Sequence, residues 1–182
     1  MTATNIADGA EKGTATHTFM QFASYENLEQ NGAATEADRL MNEGFITKRM
    51  REIIDLDVLD AFPKSNLYKE IKESKRQYRE RRFNLRLPAA EFTEKTSTAI
   101  SDEFILVQGV SDLYFENDDG SFTLVDFKTD NVPQNGGEDV LKKRHSPQLS
   151  YYKRAIEEIT GGTVSKVYIY SFALGREILL DI

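Results

Sequence analysis

The sequence predicts an α/β fold in which helices flank a mixed central sheet, with a helical section at the N-terminus. Residues 104–116 and 122–128 are rich in β-branched and aromatic residues, and Asp118-Asp119-Gly120 between them is typical of a hairpin turn. Residues 11–75 show helical spacing of apolar positions instead. A further helical pattern and two short strand patterns follow the hairpin, as expected when helices cover a sheet.

Length and composition favour one globular domain. The chain has 182 residues, of which 40% are hydrophobic and 29% charged. We assign residues 11–182 to this domain, and residues 1–10, which are small and polar, to a flexible N-terminus. Since no apolar run approaches about 18 residues and no signal-peptide core is visible, we expect a soluble cytoplasmic protein without membrane contact.

Cysteine content and charge narrow the function. The chain has no cysteine, which excludes disulfides, a cysteine nucleophile, thiolate zinc sites and an iron–sulfur cluster. The net charge of −7 argues weakly against a stand-alone DNA-binding protein. Nine of the 23 Lys and Arg residues nevertheless lie between Lys64 and Arg86. This basic stretch is either a phosphate-binding patch or a solvated helix face with ion pairs four residues apart.

The N-terminal section is predicted as a helix over Glu11–Glu29 followed by three short helices within residues 33–75. Pro63 interrupts the helical pattern. The predicted N-caps of the short helices are Thr35, Thr47 and Ser65.

The stretch Gln77–Leu87 is predicted as the first strand, because Phe83, Leu85 and Leu87 alternate onto one face. The polar stretch Thr93–Ser101 is expected to be a loop before the next strand.

The C-terminal part is predicted as loop, helix and two strands. Asn131–Arg144 contains two adjacent glycines and is expected to be mobile until substrate orders it. A helix is then expected from N-cap Ser146, with Pro147 at its first position, to Gly161-Gly162. Its predicted buried stripe is Leu149, Tyr152, Ile156 and Ile159. The last two strands are expected at Val164–Ser171 and Glu177–Leu180.

Charged residues on the hairpin strands point to chemistry. Side chains alternate along a strand, so Asp126 and Lys128 share one face, and the hairpin brings Asp112 of the preceding strand beside them. Two carboxylates supply hard oxygen ligands for Mg²⁺, and an ammonium orients and polarises a water molecule. Taken singly, each of these residues also fits a solvated strand end or a turn.

These motifs resemble those of the PD-(D/E)XK nucleases. Gly109-Val-Ser-Asp112-Leu followed by Leu124-Val-Asp126-Phe-Lys128-Thr-Asp130 is similar to the nuclease domains of RecB/AddA (RexA) helicase-nucleases, most of all to the AddA type. The resemblance covers about residues 12–180. It implies a restriction-endonuclease-like fold and hydrolysis of DNA phosphodiester bonds with Mg²⁺ or Mn²⁺.

Three further elements follow in the order of that family. Gly13-Thr14-x-x-His17 resembles its opening segment, although a lone helical histidine is often structural. Glu80 three residues before Phe83 matches a Glu-x-x-Phe element, although Arg82 departs from the family pattern and Glu80 also fits a partner for the nearby arginines. Gln148 and Tyr152 match a Gln-x-x-x-Tyr element, although Tyr152 also fits a core residue.

The resemblance implies a role for each residue. A metal ion would be held by Asp112, Asp126, the Phe127 carbonyl and His17. Lys128 would orient and help to activate the water, and Glu80 would bind a second metal or water. Gln148 and Tyr152 would contact DNA or hold the lysine.

The resemblance also implies partners. These are DNA, expected as a single strand delivered by a helicase, a helicase part of the same polypeptide, and an AddB/RexB-type subunit that acts with it at double-strand breaks. This chain has no Gly-x-x-x-x-Gly-Lys-Ser/Thr phosphate loop and so is not itself a motor. The alternatives are a non-catalytic DNA-binding or scaffolding domain of the same fold, or a Cas4-like or restriction-type nuclease. The missing cysteines count against a Cas4-like protein.

Overall fold

The computed structural model describes residues 8–89 and 103–182, and it confirms the α/β prediction. The described residues form one mixed sheet in the order β1-β2-β3-β4-β5, in which only β3 and β4 are parallel. The strands are β1 (Arg76–Pro88), β2 (Phe104–Glu116), β3 (Phe122–Lys128), β4 (Val164–Ser171) and β5 (Arg176–Leu179). The hairpin strands therefore lie inside the sheet, with the predicted bounds.

Six α-helices accompany the sheet in the described ranges. They are α1 (Gly9–Phe22), α2 (Tyr25–Asn42), α3 (Lys48–Ile53), α4 (Leu56–Ala61), α5 (Asn66–Glu73) and α6 (Gly137–Thr160), with a 3₁₀ turn at Phe62–Lys64. Within these ranges, no helix has the length and apolarity that a membrane crossing needs.

Two predicted irregular segments fall mostly outside the described residues. The expected flexible N-terminus overlaps residues 1–7, and the expected 93–101 loop lies within residues 90–102. Residues 9 and 10, also assigned to the flexible N-terminus, are instead helical. The side chain of Asp8 caps α1 by accepting a hydrogen bond from the Glu11 N–H at 2.7 Å.

The N-terminal helices differ from the prediction at two places. The single helix expected over Glu11–Glu29 is wrong, because Ser24 caps a new helix, α2. The N-cap at Thr35 is also wrong, because α2 continues through it and bends at Gly32, where φ is 80°. Asp60 of α4 caps the second half of α2 by accepting from the Ala33 N–H at 2.6 Å. The predicted caps Thr47 and Ser65 are confirmed.

The helix predicted to begin after N-cap Ser146 begins ten residues earlier in the structure. α6 starts after Gly136, so much of the expected mobile segment is helical and Pro147 lies inside the helix. The Ser146 hydroxyl donates to the Lys142 carbonyl at 2.6 Å instead of capping a terminus. Fully buried Leu141 anchors the added turns in the core. The end at Gly161 is confirmed, with φ of 68°.

Two apolar layers cover the sheet. The N-terminal helices pack on one face, where the core includes Phe19, Leu40, Phe62, Leu113, Phe127 and Tyr170. α6 packs on the other face, where its Leu149 and Ile156 contact Leu124, Val167 and Ile169 of the strands. The predicted stripe of α6 is confirmed for Leu149 and Ile156, whereas Ile159 is wrong, since it is 60% exposed. The charged residues lie between these layers at the end of the sheet where β2 and β3 separate, here called the open end.

The alternation of side chains shifts by one residue at Glu80 and Asp112, which lie opposite each other in the β1–β2 pair. On β1, Tyr78 before the shift and Phe83 after it both pack on the α6 side, although five residues separate them. On β2, Gly109 contacts Tyr152 of α6, and Tyr114 also packs on the α6 side. Strict alternation would place each pair on opposite faces. The shift turns both acids toward the open end.

Candidate active site

Asp112 stands where β2 and β3 separate. The last residue pair between β2 and β3 is Leu113 with Val125. Asp112 and Asp126 are the next residue on each strand, beyond the paired region. Beyond it, Oδ2 of Asp112 accepts a hydrogen bond from the Phe127 N–H at 2.8 Å. A carboxylate thus takes the place of a strand carbonyl, and this fixes Asp112 beside the Asp126 strand, as the sequence predicted.

Asp126 and Lys128 form a buried ion pair. Asp126 is only 3% exposed, and Lys128 Nζ lies 2.7 Å from its Oδ2. The contact meets the distance but not the angles of a hydrogen bond, and Oδ2 has no other partner among the described residues. Burial raises the pKa of Asp126 to about 6, which the nearby Lys128 only partly opposes. Burial disfavours the charged lysine too, but the neighbouring carboxylates outweigh it and raise the pKa of Lys128.

His17 reaches this site from α1. Its Nδ1 lies 3.5 Å from Oδ1 of Asp112, and that interaction raises the pKa of the imidazole against the effect of burial. Gly13, one turn earlier, allows the approach of α1, because a Cβ there would stand 2.9 Å from Oγ1 of Thr129. The Gly-Thr-x-x-His segment therefore seats α1 against the end of β3 and places the imidazole at the acids.

Glu80 occupies a strained position opposite Asp112. Its φ of 49° lies in the left-handed region, and it is the one non-glycine residue in the described ranges with a positive φ. Such a conformation costs about 1–3 kcal/mol and tends to occur at functional sites. Burial and the nearby Asp112 carboxylate raise the pKa of Glu80. The structure therefore brings Glu80 to the acids rather than to an ion pair with the adjacent arginines.

Gln148 and Tyr152 lie four residues apart on α6 and contact each other. Nε2 of Gln148 donates to the Tyr152 hydroxyl at 2.8 Å, and the Tyr152 ring meets Phe83 edge-on with centroids 4.8 Å apart. Burial raises the pKa of Tyr152, and the charges of Asp126 and Lys128 also act on it. Gly109 leaves room for the two rings, since a Cβ there would come within 2.5 Å of Phe83.

A neighbouring polar cluster is absent from the sequence prediction. Asp130 pairs with Arg144 and lies 3.4 Å from Nε2 of His145, and His145 also feels the charge of Lys128. Burial opposes the charge of Asp130, but Arg144 and His145 hold the pKa of Asp130 below its usual range. The Asp126-Phe-Lys128 motif runs on to Asp130, whereas Arg144 ends the predicted mobile segment and His145 follows it. The mistaken helix start hid this contact.

The donor atoms fit a hard divalent cation. Two carboxylates meet at the end of the sheet, one with a buried oxygen that lacks a directed hydrogen bond, and an imidazole stands beside them. As the side chains stand, no three His, Asp or Glu residues in ranges 8–89 and 103–182 converge closely enough to enclose an ion. Lys128 instead lies against Asp126, and His17 lies against Asp112.

Several basic side chains between Lys64 and Arg86 have partners within the fold. Lys72 pairs with Glu29, Lys75 donates to the Asp118 carbonyl, and Arg79 donates to the Ala23 carbonyl. These three residues serve the fold, so the stretch is not one uniform phosphate-binding patch.

Comparisons with known proteins agree with this geometry. Residues 3–176 match the PD-(D/E)XK nuclease superfamily. The chain is also similar to ATP-dependent helicase/nuclease subunits of the AddA type. It is 36% identical to the one from Clostridium novyi (strain NT) over 172 residues, which are 93% of the chain and 14% of that protein.

Two further relatives carry the same name. The chain is 35% identical over 168 residues to the protein of Ruminiclostridium cellulolyticum, which is 92% of the chain and 13% of that protein. It is 33% identical over 168 residues to the protein of Thermoanaerobacter sp. (strain X514), which is 92% of the chain and 14% of the relative. The chain therefore spans about one seventh of the length of these relatives.

Proposed function

The chain belongs to the PD-(D/E)XK nuclease superfamily, and we propose that it is a metal-dependent deoxyribonuclease domain that hydrolyses phosphodiester bonds. The observation that carries the proposal is the buried Asp126 carboxylate, held between Lys128 and the Asp112 strand at the open end of the sheet. A carboxylate buried with one oxygen short of a directed hydrogen bond is costly for the fold, and chemistry at that oxygen accounts for its presence.

Nucleases of this superfamily generally use divalent metals. In our proposal Asp112, Asp126, the Phe127 carbonyl and His17 hold Mg²⁺ or Mn²⁺. The ion supplies positive charge for the phosphate oxygens and lowers the pKa of a bound water.

The protein side chains do the remaining work. Lys128 shares the strand face of Asp126, so its ammonium orients the attacking water and offsets charge that develops on the phosphate. Glu80 holds a second ion or a water at the strained position opposite Asp112. Gln148 and Tyr152 form a wall against which the DNA strand rests, and their hydrogen bond fixes the side of the cleft.

The relatives support the proposal that this domain works as part of a larger helicase-nuclease. Each is named as part of an ATP-dependent helicase/nuclease, and this chain spans about one seventh of each. We therefore propose that a helicase part of the same polypeptide delivers unwound DNA to this domain, as an exonuclease in double-strand break processing. A partner of the AddB/RexB type would act with it, and the work on DNA would take place in the cytoplasm.

A cleavage assay with the 182-residue chain tests the proposal. Single-stranded and double-stranded linear DNA are incubated with Mg²⁺, with Mn²⁺ or with EDTA, beside the Asp126→Asn variant. The wild type should cut single strands only when metal is present, and the variant should be inactive while it remains folded. Metal-independent cutting, or none by the wild type alone or joined to its motor, would favour a DNA-binding scaffold instead.

A further inference from the structure

The β1–β2 ribbon extends past the candidate active site, and none of the described residues packs on one of its two faces. Residues 104–112 of β2 pair with β1, whereas the pairing with β3 covers only residues 113–116. Phe83, Leu85 and Leu87 point from the ribbon toward α6 and are buried there. The exposed side chains of the opposite face, here the outer face, are Arg82, Asn84 and Arg86 on β1 with Phe104, Leu106, Gln108 and Val110 on β2.

The outer face continues directly from the acids. The register sets Glu80 opposite Asp112, and the next side chains on the same face are those of Arg82 and Val110. Phe104 lies eight residues from Asp112 along β2, which is about 26 Å at about 3.3 Å per residue. The surface is therefore a strip that begins at the candidate active site and ends at an exposed aromatic ring.

The side chains of the strip suit a nucleic acid strand. Among the described residues, no ion pair joins Arg82 or Arg86 to a carboxylate, although Glu103 borders the recess beside Arg86. The Arg86 guanidinium lies 3.8 Å above the centre of the Phe104 ring, which is 50% exposed. Unpaired guanidinium groups bind phosphates, and an exposed ring stacks with a base.

Two amides complete the strip between the arginines. Nε2 of Gln108 donates to Oδ1 of Asn84 at 2.9 Å, and both side chains are exposed. The pair keeps donors and acceptors free for a sugar or a base edge. A protein partner would have to provide acids matched to both arginines, whereas a nucleic acid carries a phosphate at every nucleotide.

We propose that the outer face binds a single strand of nucleic acid and guides it along the ribbon to Asp112 and Asp126. The inference rests on the proposed function, because the strand is the substrate of that site. Arg82 and Arg86 hold phosphates, and Phe104 stacks with a base at the far end. At about 3.4 Å per stacked nucleotide, the strip spans about eight nucleotides.

Fluorescence anisotropy in EDTA tests the strip without cleavage. The probes are labelled single-stranded DNA of about 12 and of about 4 nucleotides, with the wild type and with Arg82→Ala/Arg86→Ala. Loss of two phosphate contacts should weaken binding of the longer probe about tenfold and reduce the slope of log Kd against log salt by about 1.4. The ratio of variant to wild-type Kd should fall toward one for the shorter probe, which reaches little of the strip.

Two controls separate stacking and specific contacts from general charge. Lys48→Ala/Arg176→Ala removes the same charge from α3 and β5, and should change the Kd of the longer probe much less. Phe104→Ala should weaken binding of that probe about 5- to 100-fold, because the stacked ring is lost. Phe104→Trp should bind as tightly as the wild type, whereas Phe104→Leu should bind as weakly as Phe104→Ala. A protein-docking face would tolerate leucine and show no dependence on DNA length.

The outcomes distinguish this inference from the proposed function. If the wild type cuts DNA with metal but the ribbon variants bind the longer probe as the wild type does, the strip is refuted and the nuclease stands. If binding depends on the ribbon but the wild type never cuts, the nuclease falls and the strip stands. A wild type that does not bind the longer probe also overturns the strip.

Discussion

Two buried carboxylates of this protein have opposite surroundings. Glu36 in α2 is fully buried and accepts hydrogen bonds from the Ser24 N–H at 2.6 Å, from Arg39 Nε at 2.9 Å and from Asn27. Asp126 is almost as buried, yet its Oδ2 meets only the Lys128 ammonium among the described residues.

The surroundings shift the two pKa values in opposite directions. Burial works against the charged form of Glu36, but the hydrogen bonds outweigh burial and hold the pKa of Glu36 below its usual range. Burial raises the pKa of Asp126 to about 6. Burial of an acid therefore does not itself mark a functional site. A buried acid left short of donors does, because it keeps a lone pair for something else.

The comparison predicts its largest effect at Lys128. Lys128→Ala should reduce metal-dependent cleavage of single-stranded DNA about a thousandfold per folded molecule, and it should also lower the unfolding free energy in EDTA, because it removes the ion-pair partner of buried Asp126. Lys128→Arg should rescue poorly, because guanidinium is planar, bulkier and not readily deprotonated. Single-turnover rates beside urea titrations measure both. Cleavage at the wild-type rate by the folded fraction of the variant would assign Lys128 to the fold instead.

Substitution of Glu36 should lower the stability of the fold and leave cleavage unchanged. Glu36→Ala leaves the Ser24 N–H, Asn27 and a partly exposed Arg39 without their acceptor, so we expect a loss of about 2–3 kcal/mol in unfolding free energy. Cleavage per folded molecule should not change. Urea unfolding with cleavage rates corrected for the folded fraction gives both values, and reduced cleavage by the folded variant would erase the distinction between the two acids.

The pH dependence of stability should have opposite signs at the two acids, in EDTA. Asp126 is protonated in the folded state at pH values where the unfolded side chain is charged, so its contribution to stability should fall by about 2 kcal/mol as the pH rises from about 4 to about 7. Glu36, with its lowered pKa, contributes above its unfolded pKa, and that contribution is lost as the pH falls through its folded pKa.

The differences in unfolding free energy between the wild type and the Asp126→Asn and Glu36→Gln variants isolate these contributions. If both differences changed with pH in the same direction, the two acids would not have opposite pKa shifts.

Tyr170 provides the smallest test, since it is a buried polar group away from the acids. Its hydroxyl has no hydrogen-bond partner among the described residues and lies in an aromatic cluster with Phe62 and Phe172. Tyr170→Phe should therefore be neutral or stabilising by less than about 1 kcal/mol, without effect on cleavage. Destabilisation beyond that, seen in thermal unfolding, would mean that the hydroxyl has a partner.

The sequence predicted what local patterns control. Asp112, Asp126 and Lys128 were placed together because alternation along two short strands and a tight turn depend on neighbours in the chain. The caps Thr47 and Ser65 were predictable for the same reason.

Long-range packing decided the rest. Pro147 is a strong local signal for a helix start, but burial of Leu141 against the sheet extends α6 past it. Asp60 caps the second half of α2 from 27 residues away. The shift of side-chain alternation at Glu80 arises from the pairing of two strands and has no signature in the sequence of either strand. The outer face that starts there could therefore not be predicted from the sequence.

The central claim is that Asp112 and Asp126 form a metal site, and crystals soaked in Mn²⁺ test it most directly. Anomalous difference density measured near the manganese absorption edge should show a peak between the two carboxylates, with His17 and the Phe127 carbonyl as further ligands. The Lys128 ammonium should then have moved off Oδ2 of Asp126. Well-diffracting crystals with manganese elsewhere, or with no peak between these carboxylates at millimolar Mn²⁺, would contradict the claim.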